Sequence, residues 1–172
     1  MEREEIKVSV ERHVDDMFVM GDDSECNTLA VDLNLHFPTK NLGQLVLYLG
    51  CQYRHGLEKG VLKLTQTAYD QEIIKTFSID KTAGTPAYVS SLFKVEEGKD
   101  YTGIYRQAVG SLMRLSNKTR REIADAVRAG SRHNENPTPE DWRLVLRVLD
   151  YLNSAVYLGI MYVRDSSEEW LA

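Results

Sequence analysis

Asp15 and Asp16 follow His13 and Val14 between a strand-like stretch, Val8–Arg12, and the apolar Met17–Met20. They are the residues of this chain best suited to chemistry. Two adjacent carboxylates at a sharp turn offer the oxygen ligands that Mg²⁺ prefers. That ion usually takes one or two protein carboxylates and completes its shell with water and substrate phosphates. Two such ions about 3.5–4 Å apart steady the attacking and leaving oxygens of phosphoryl transfer. The same acids, with Gly21-Asp22-Asp23 close behind, also suit plain solvated turns.

The motifs downstream separate these readings. In order come Asn41-Leu42-Gly43, Tyr48-Leu49-Gly50, Leu62-Lys63-Leu64-Thr65-Gln66-Thr67-Ala68-Tyr69 and Thr85-Pro86. Then follow Tyr105-Arg106-Gln107-Ala108-Val109-Gly110-Ser111-Leu112-Met113, Thr119-Arg120-Arg121-Glu122-Ile123-Ala124, Asp141-Trp142, Tyr151-Leu152 and Gly159-Ile160-Met161-Tyr162. The ordered series, from about Val8 to Tyr162, resembles the copia-type reverse transcriptases of long-terminal-repeat retrotransposons. Departures are present. His13 stands for the family's Tyr before Val-Asp-Asp, and Glu11-Arg12 interrupt its apolar run. Arg121-Glu122 replace Pro-Asp, and Asp141 replaces a His before Trp.

The resemblance implies roles residue by residue. Asp15 and Asp16 match the second metal-binding element of such polymerases, with Asp15 the direct ligand and Mg²⁺ the cofactor. The Leu45–Arg54 hairpin, with Leu49 and Gly50, looks like the primer grip. The helices after Ile104 look like thumb and connection. Their Arg106, Arg114, Lys118, Arg120 and Arg121 would hold an RNA/DNA template–primer through phosphates, independent of sequence. In such polymerases the fingers and the first metal-binding Asp precede this turn, and the chain opens just upstream of it. The expectation is a polyprotein segment that is catalytically incompetent by itself. The alternative is a non-catalytic nucleic-acid-binding or protein-interaction remnant, with self-association through an exposed palm edge.

Composition sets wider bounds. The chain has 172 residues, 42% apolar and 27% charged, enough for one ordinary domain or two small ones. Its apolar runs, such as Leu45–Leu49, are too short to cross a bilayer, and the Glu- and Lys-rich start carries no secretory signal. An intracellular setting, cytoplasmic or nuclear, is expected, with Cys26 and Cys51 as free thiols. The four histidines show no zinc spacing with them. A net charge of −5 speaks against a surface that grips nucleic acid everywhere, but the charge is uneven. Arg106–Arg147 holds nine basic and five acidic residues, a net +4, which leaves −9 for the rest. One basic face is compatible with a phosphate backbone. Ordinary helix faces with acid–base pairs one turn apart would give the same count.

The elements that must position these residues read as α+β. A partial palm over 1–80 comprises two β-hairpins plus helices, a crossing loop covers 81–103, and a helical thumb/connection-like half covers 104–172. The first hairpin spans Val8–Met20 with Asp15-Asp16 at the bend. Ser24 is the expected N-cap of a helix to about Leu35, with Leu29, Leu33 and Phe37 on one face. Val46–Arg54 and Val61–Thr65 form the second hairpin. Gln66–Phe77 is an amphipathic helix with Tyr69, Ile73, Ile74 and Phe77 in one stripe. Helices are expected over Ile104–Leu115, with Gly110-Ser111 as a close-packing point, and over Arg121–Arg132. A third starts at Pro139 behind a Thr138 cap and runs to about Tyr151, with Trp142, Val145, Leu146, Leu149 and Leu152 inward. Leu158–Val163 returns as a strand.

Overall fold

A computed structural model of the chain describes residues 8–56, 60–87 and 100–164. The chain is mixed α and β, and its packing divides it into two units, Met1–Tyr48 and Leu49–Ala172.

The first unit starts with strands β1 (Val8–His13) and β2 (Asp16–Gly21), paired antiparallel with Val10 opposite Val19 and His13 opposite Asp16. Asp16 thus belongs to the second strand. The bend falls on Val14-Asp15, one position earlier than the sequence suggested, because two-residue connections are the tightest that keep the ladder paired. Helix α1 (Asp23–His36) follows. Its N-cap is Asp22 rather than Ser24, which lies inside the first turn, where its carbonyl accepts a hydrogen bond from Thr28 Oγ1 at 2.9 Å. Leu29 and Leu33 are half-buried as the spacing requires, but Phe37 is exposed and α1 buries no residue fully. The two-residue strand β3 (Leu47–Tyr48) ends the unit, with the buried Tyr48 ring 5.7 Å from that of Phe18.

The second unit is built around helices. Strands β4 (Cys51–Gly56) and β5 (Val61–Thr65) form the expected hairpin, Tyr53 opposite Leu64. The other side of β5 is taken by β6 (Gly159–Val163), the returning strand, with Leu64 opposite Ile160. There is no room for a Cβ at Gly159 against the Leu64 carbonyl, so only glycine lets the strand approach at that point. Helix α2 (Thr67–Thr76) leads to α3 (Thr102–Lys118), a 3₁₀ turn at Arg121–Ile123, α4 (Ala124–Ser131) and α5 (Pro139–Ser154). β4, β5 and α2 thus belong to this second unit. β5 needs β6 as its neighbour, and α2 packs on α5.

Apolar periodicity explains the core. Tyr105, Ala108, Val109, Leu112 and Leu115 line one side of α3; Trp142, Val145, Leu149 and Leu152 do so on α5, and Ile73 of α2 joins the same cluster. Thr138 caps α5 reciprocally with Asp141. Thr138 Oγ1 accepts from the Asp141 amide at 3.2 Å, and Asp141 Oδ2 accepts from the Thr138 amide at 2.8 Å. The close-packing glycine is not Gly110, which is exposed and has nothing within 4 Å of where a Cβ would sit, but Gly130. Its carbonyl accepts from the Tyr105 hydroxyl at 2.7 Å, and a Cβ there would lie 3.3 Å from the same hydroxyl oxygen.

The part of the expected crossing loop before residue 88 runs along α5. Asn153 Nδ2 donates to the Lys81 carbonyl at 2.8 Å, Ser154 Oγ to Ala83 at 2.7 Å, and Arg147 Nε to Thr85 at 3.0 Å. The remainder, 88–99, lies outside the described residues. No helix among the described residues is long and apolar enough to cross a membrane.

Candidate nucleic-acid interface

In the first unit, Asp15 and Asp16 are exposed at the tip of the β1–β2 hairpin. Val14, the first turn residue, has φ 53°. A β-branched side chain in that region is strained, and such strain collects at functional turns. As a donor set the two carboxylates fit one Mg²⁺ ion's usual share of protein ligands. Among the described residues, no group of three or more His, Cys, Asp or Glu side chains is placed to hold a metal.

In the second unit, Leu49 and Gly50 form the two-residue turn entering β4, with φ 49° and 78°. Glycine tolerates this backbone freely; leucine does not. Lys118, at the end of α3, secures the turn by donating from Nζ to the Leu49 carbonyl at 2.8 Å. Arg114, one helical turn earlier, sits against it too: a Cβ on Gly50 would lie 3.3 Å from Arg114 Nη2. The fold thus brings together Leu49, Gly50, Arg114 and Lys118, four of the residues singled out by sequence. Cys51 lies among them. Burial pushes its thiol up, while the charges of Lys118 and Arg114 pull it down.

Arg120 does not join this group, and its assignment to nucleic acid is corrected. Its side chain is wholly buried, with Nη1 2.6 Å from Asp70 Oδ2 and Nε 2.6 Å from Glu122 Oε1. The guanidinium carbon also lies 5.8 Å from the centre of the Tyr151 ring. A charge so enclosed cannot reach a phosphate. Burial pushes the Asp70 carboxyl up to about 6 against the pull of Arg120, and the nearby Glu122 charge adds to the rise.

The other cations divide. Arg106 is exposed and donates from Nε to the Asn134 carbonyl at 2.8 Å. Arg121 is exposed at the start of the 3₁₀ turn. Arg128 and Arg143 pair with Asp125 at 2.8 Å and Glu140 at 2.7 Å, each three residues off. Two of the nine basic residues of this stretch are therefore paired with acids on their own helices, as ordinary helix faces would have it.

Two participants escaped the sequence reading. Tyr69 of α2, read there as part of the Leu62–Tyr69 motif and of an apolar stripe but given no role at the interface, has its ring 4.9 Å below the Arg114 guanidinium carbon. Gln66, the residue before α2, is buried and accepts from Thr119 Oγ1 at 2.9 Å. The Gln66–Tyr69 spacing was the available signal, but nothing local names partners so far along the chain.

No protein-family profile matches the chain, and no solved structure does. Curated relatives do match. The retrovirus-related Pol polyprotein from transposon TNT 1-94 of Nicotiana tabacum is 31% identical over 81% of this chain and 11% of the polyprotein. The retrovirus-related Pol polyprotein from transposon RE2 of Arabidopsis thaliana is 30% identical over 90% of the chain and 11% of the polyprotein. An uncharacterized mitochondrial protein of Arabidopsis thaliana is 29% identical over 91% of the chain and 65% of its own length. The chain thus spans about a tenth of the transposon polyproteins it matches. Its homologues are retrovirus-related Pol polyproteins of copia-type transposons, and it corresponds to one segment of them.

Proposed function

We propose that this segment belongs to the reverse transcriptase of a retrotransposon polyprotein, where it handles template–primer and contributes Asp15 and Asp16 to the metal site. The observation that carries the reading is the match to two transposon Pol polyproteins across 81% and 90% of the chain. The exposed acids at the β1–β2 tip support it, as do the cations beside the Leu49–Gly50 turn. Asp15 and Asp16 would hold Mg²⁺, which supplies charge neutralisation for phosphoryl transfer. Leu49 and Gly50 offer a backbone surface for the primer end. Arg114, Lys118, Arg106 and Arg121 meet phosphates without reading bases.

By itself the chain should not polymerise. Phosphoryl transfer depends on positioning and on neutralised charge, and two carboxylates supply only part of a two-metal site. Primer extension with Mg²⁺ or Mn²⁺ should give no product; incorporation that disappears in Asp15→Ala would overturn this. Binding to a labelled primer–template should weaken with salt at a slope near −3 if about three phosphates are neutralised. A flat salt response, or no binding at low salt, would remove the nucleic-acid role.

A second reading, a protein-contact role, is favoured by one observation. Among its described residues, the first unit exposes ten large apolar side chains between Val10 and Leu47.

A further inference from the structure

We propose that Arg114 and Lys118 form a seat for one backbone phosphate of a nucleic-acid strand, with Tyr69 as the residue that positions Arg114. The inference rests on the template–primer reading and assigns it a specific contact. Arg114 is exposed, yet among the described residues its side chain makes no hydrogen bond or ion pair. Its place is set by stacking, 4.9 Å above the Tyr69 ring. That distinguishes it from Arg120, Arg128 and Arg143, each of which is held by an acid. Stacking fixes a guanidinium while leaving its N–H donors uncommitted, and the planar fork matches two phosphate oxygens.

The surroundings complete the seat. Lys118 follows Arg114 by four residues on α3, so both cations share a face of that helix. Lys118 gives one donor to the Leu49 carbonyl at 2.8 Å, and its ammonium carries three. Gly50 faces the guanidinium without a side chain; a Cβ there would stand 3.3 Å from Arg114 Nη2. Tyr69 is half-buried, packed on the helical core, which gives the ring a fixed base. The guanidinium therefore gives up rotamer freedom before any ligand arrives, which favours binding.

The test uses the full 172-residue chain. Anisotropy of a labelled single-stranded oligonucleotide is followed across a salt series. Arg114→Ala should make the salt slope shallower by about 0.7, the share of one phosphate on a single strand. Tyr69→Phe keeps the ring and should match the wild type. Tyr69→Leu should weaken binding about 2–5-fold, the range of an exposed cation–π contact. In an Arg114→Ala background, Tyr69→Leu should cost nothing further, a result that a purely structural role for the ring would not give. Binding by the wild type with an unchanged slope in Arg114→Ala overturns the seat alone. An equal loss from Tyr69→Leu with and without Arg114 overturns the positioning role. Absence of binding by the wild-type chain at the lowest salt overturns both the seat and the template–primer reading. Because Arg114 is exposed, its variant tests the seat even where a Tyr69 variant fails to fold.

Discussion

Arg120 Nη1 lies 2.6 Å from Asp70 Oδ2, and neither side chain is accessible to solvent. The pair ties α2 to the segment between α3 and α4, joining residues fifty positions apart. Glu122 takes the same guanidinium from the other side at 2.6 Å. One atom of each partner, Asp70 Oδ1 and Arg120 Nη2, finds no hydrogen bond among the described residues. Such a pair is expensive to break from one side, because it strands the other charge.

Arg120→Met should therefore destabilise the second unit by about 3–5 kcal/mol near neutral pH. The loss should depend on pH. Burial already holds the Asp70 carboxyl at about 6, above its ordinary 3.8. The folded chain then binds that proton more tightly than the unfolded chain, so this group's contribution is largest below pH about 4 and is lost as pH rises through about 6. Removing Arg120 raises the carboxyl further and carries the loss to higher pH. Urea unfolding should show a larger deficit at pH 8 than at pH 5. An equal deficit at both would mean that Asp70 does not carry the effect.

Gly50→Ala should lower stability by about 1–2 kcal/mol, the cost of a left-handed backbone for a residue with a Cβ. The φ of 78° sets that cost. The Arg114 Nη2 atom, 3.3 Å from the added carbon, is the free end of a flexible side chain and can move aside. The melting temperature is the readout. An unchanged value would show that the turn relaxes out of this conformation.

Val14→Gly should have the opposite effect on the hairpin bearing Asp15 and Asp16. Val14 holds φ 53°, a region its branched side chain avoids. Glycine relieves that strain but loses about 0.5–1 kcal/mol in chain entropy, so the net gain is small. Amide exchange at Val10 and Val19, which face each other across the ladder, should slow slightly. Faster exchange would mean that the valine side chain is itself stabilising.

What the sequence made legible was local. Thr138, Pro139 and Asp141 announce α5 because a capping box spans only three residues, and the structure contains both of its hydrogen bonds. The hairpins were legible for the same reason, since alternation and turn residues lie side by side. Ser24 misled because Asp22, Asp23 and Ser24 are all acceptable caps, and the choice rests on backbone angles. Arg120 misled more seriously. A lone arginine in a basic stretch reads as surface charge, and its partner Asp70 lies on a different helix. Gly110 and Gly130 show the same limit: each sits in a helix, and only the approach of Tyr105 marks the second as the packed one. Of the interface, the cations Arg114 and Lys118 were legible as charge. The ring that fixes Arg114 was not.

Self-association is expected to come from the first unit. Val31 and Leu35 lie one turn apart on α1, 63% and 76% exposed, and Phe37 follows at 65%. The β1–β2 sheet is two-stranded, so each strand has an edge without a partner strand among the described residues. Clustered exposed apolar side chains mark contact surfaces, and open edges invite pairing with another chain. Size-exclusion chromatography should give an elution position that moves to larger size as concentration rises. Replacing Val31→Glu and Leu35→Lys together should suppress the shift. The two substitutions put opposite charges one turn apart, a spacing that supports the helix. A monomer at every concentration would show that these side chains do not drive association. An unaltered shift in the double variant would move the contact from α1 to the strand edges.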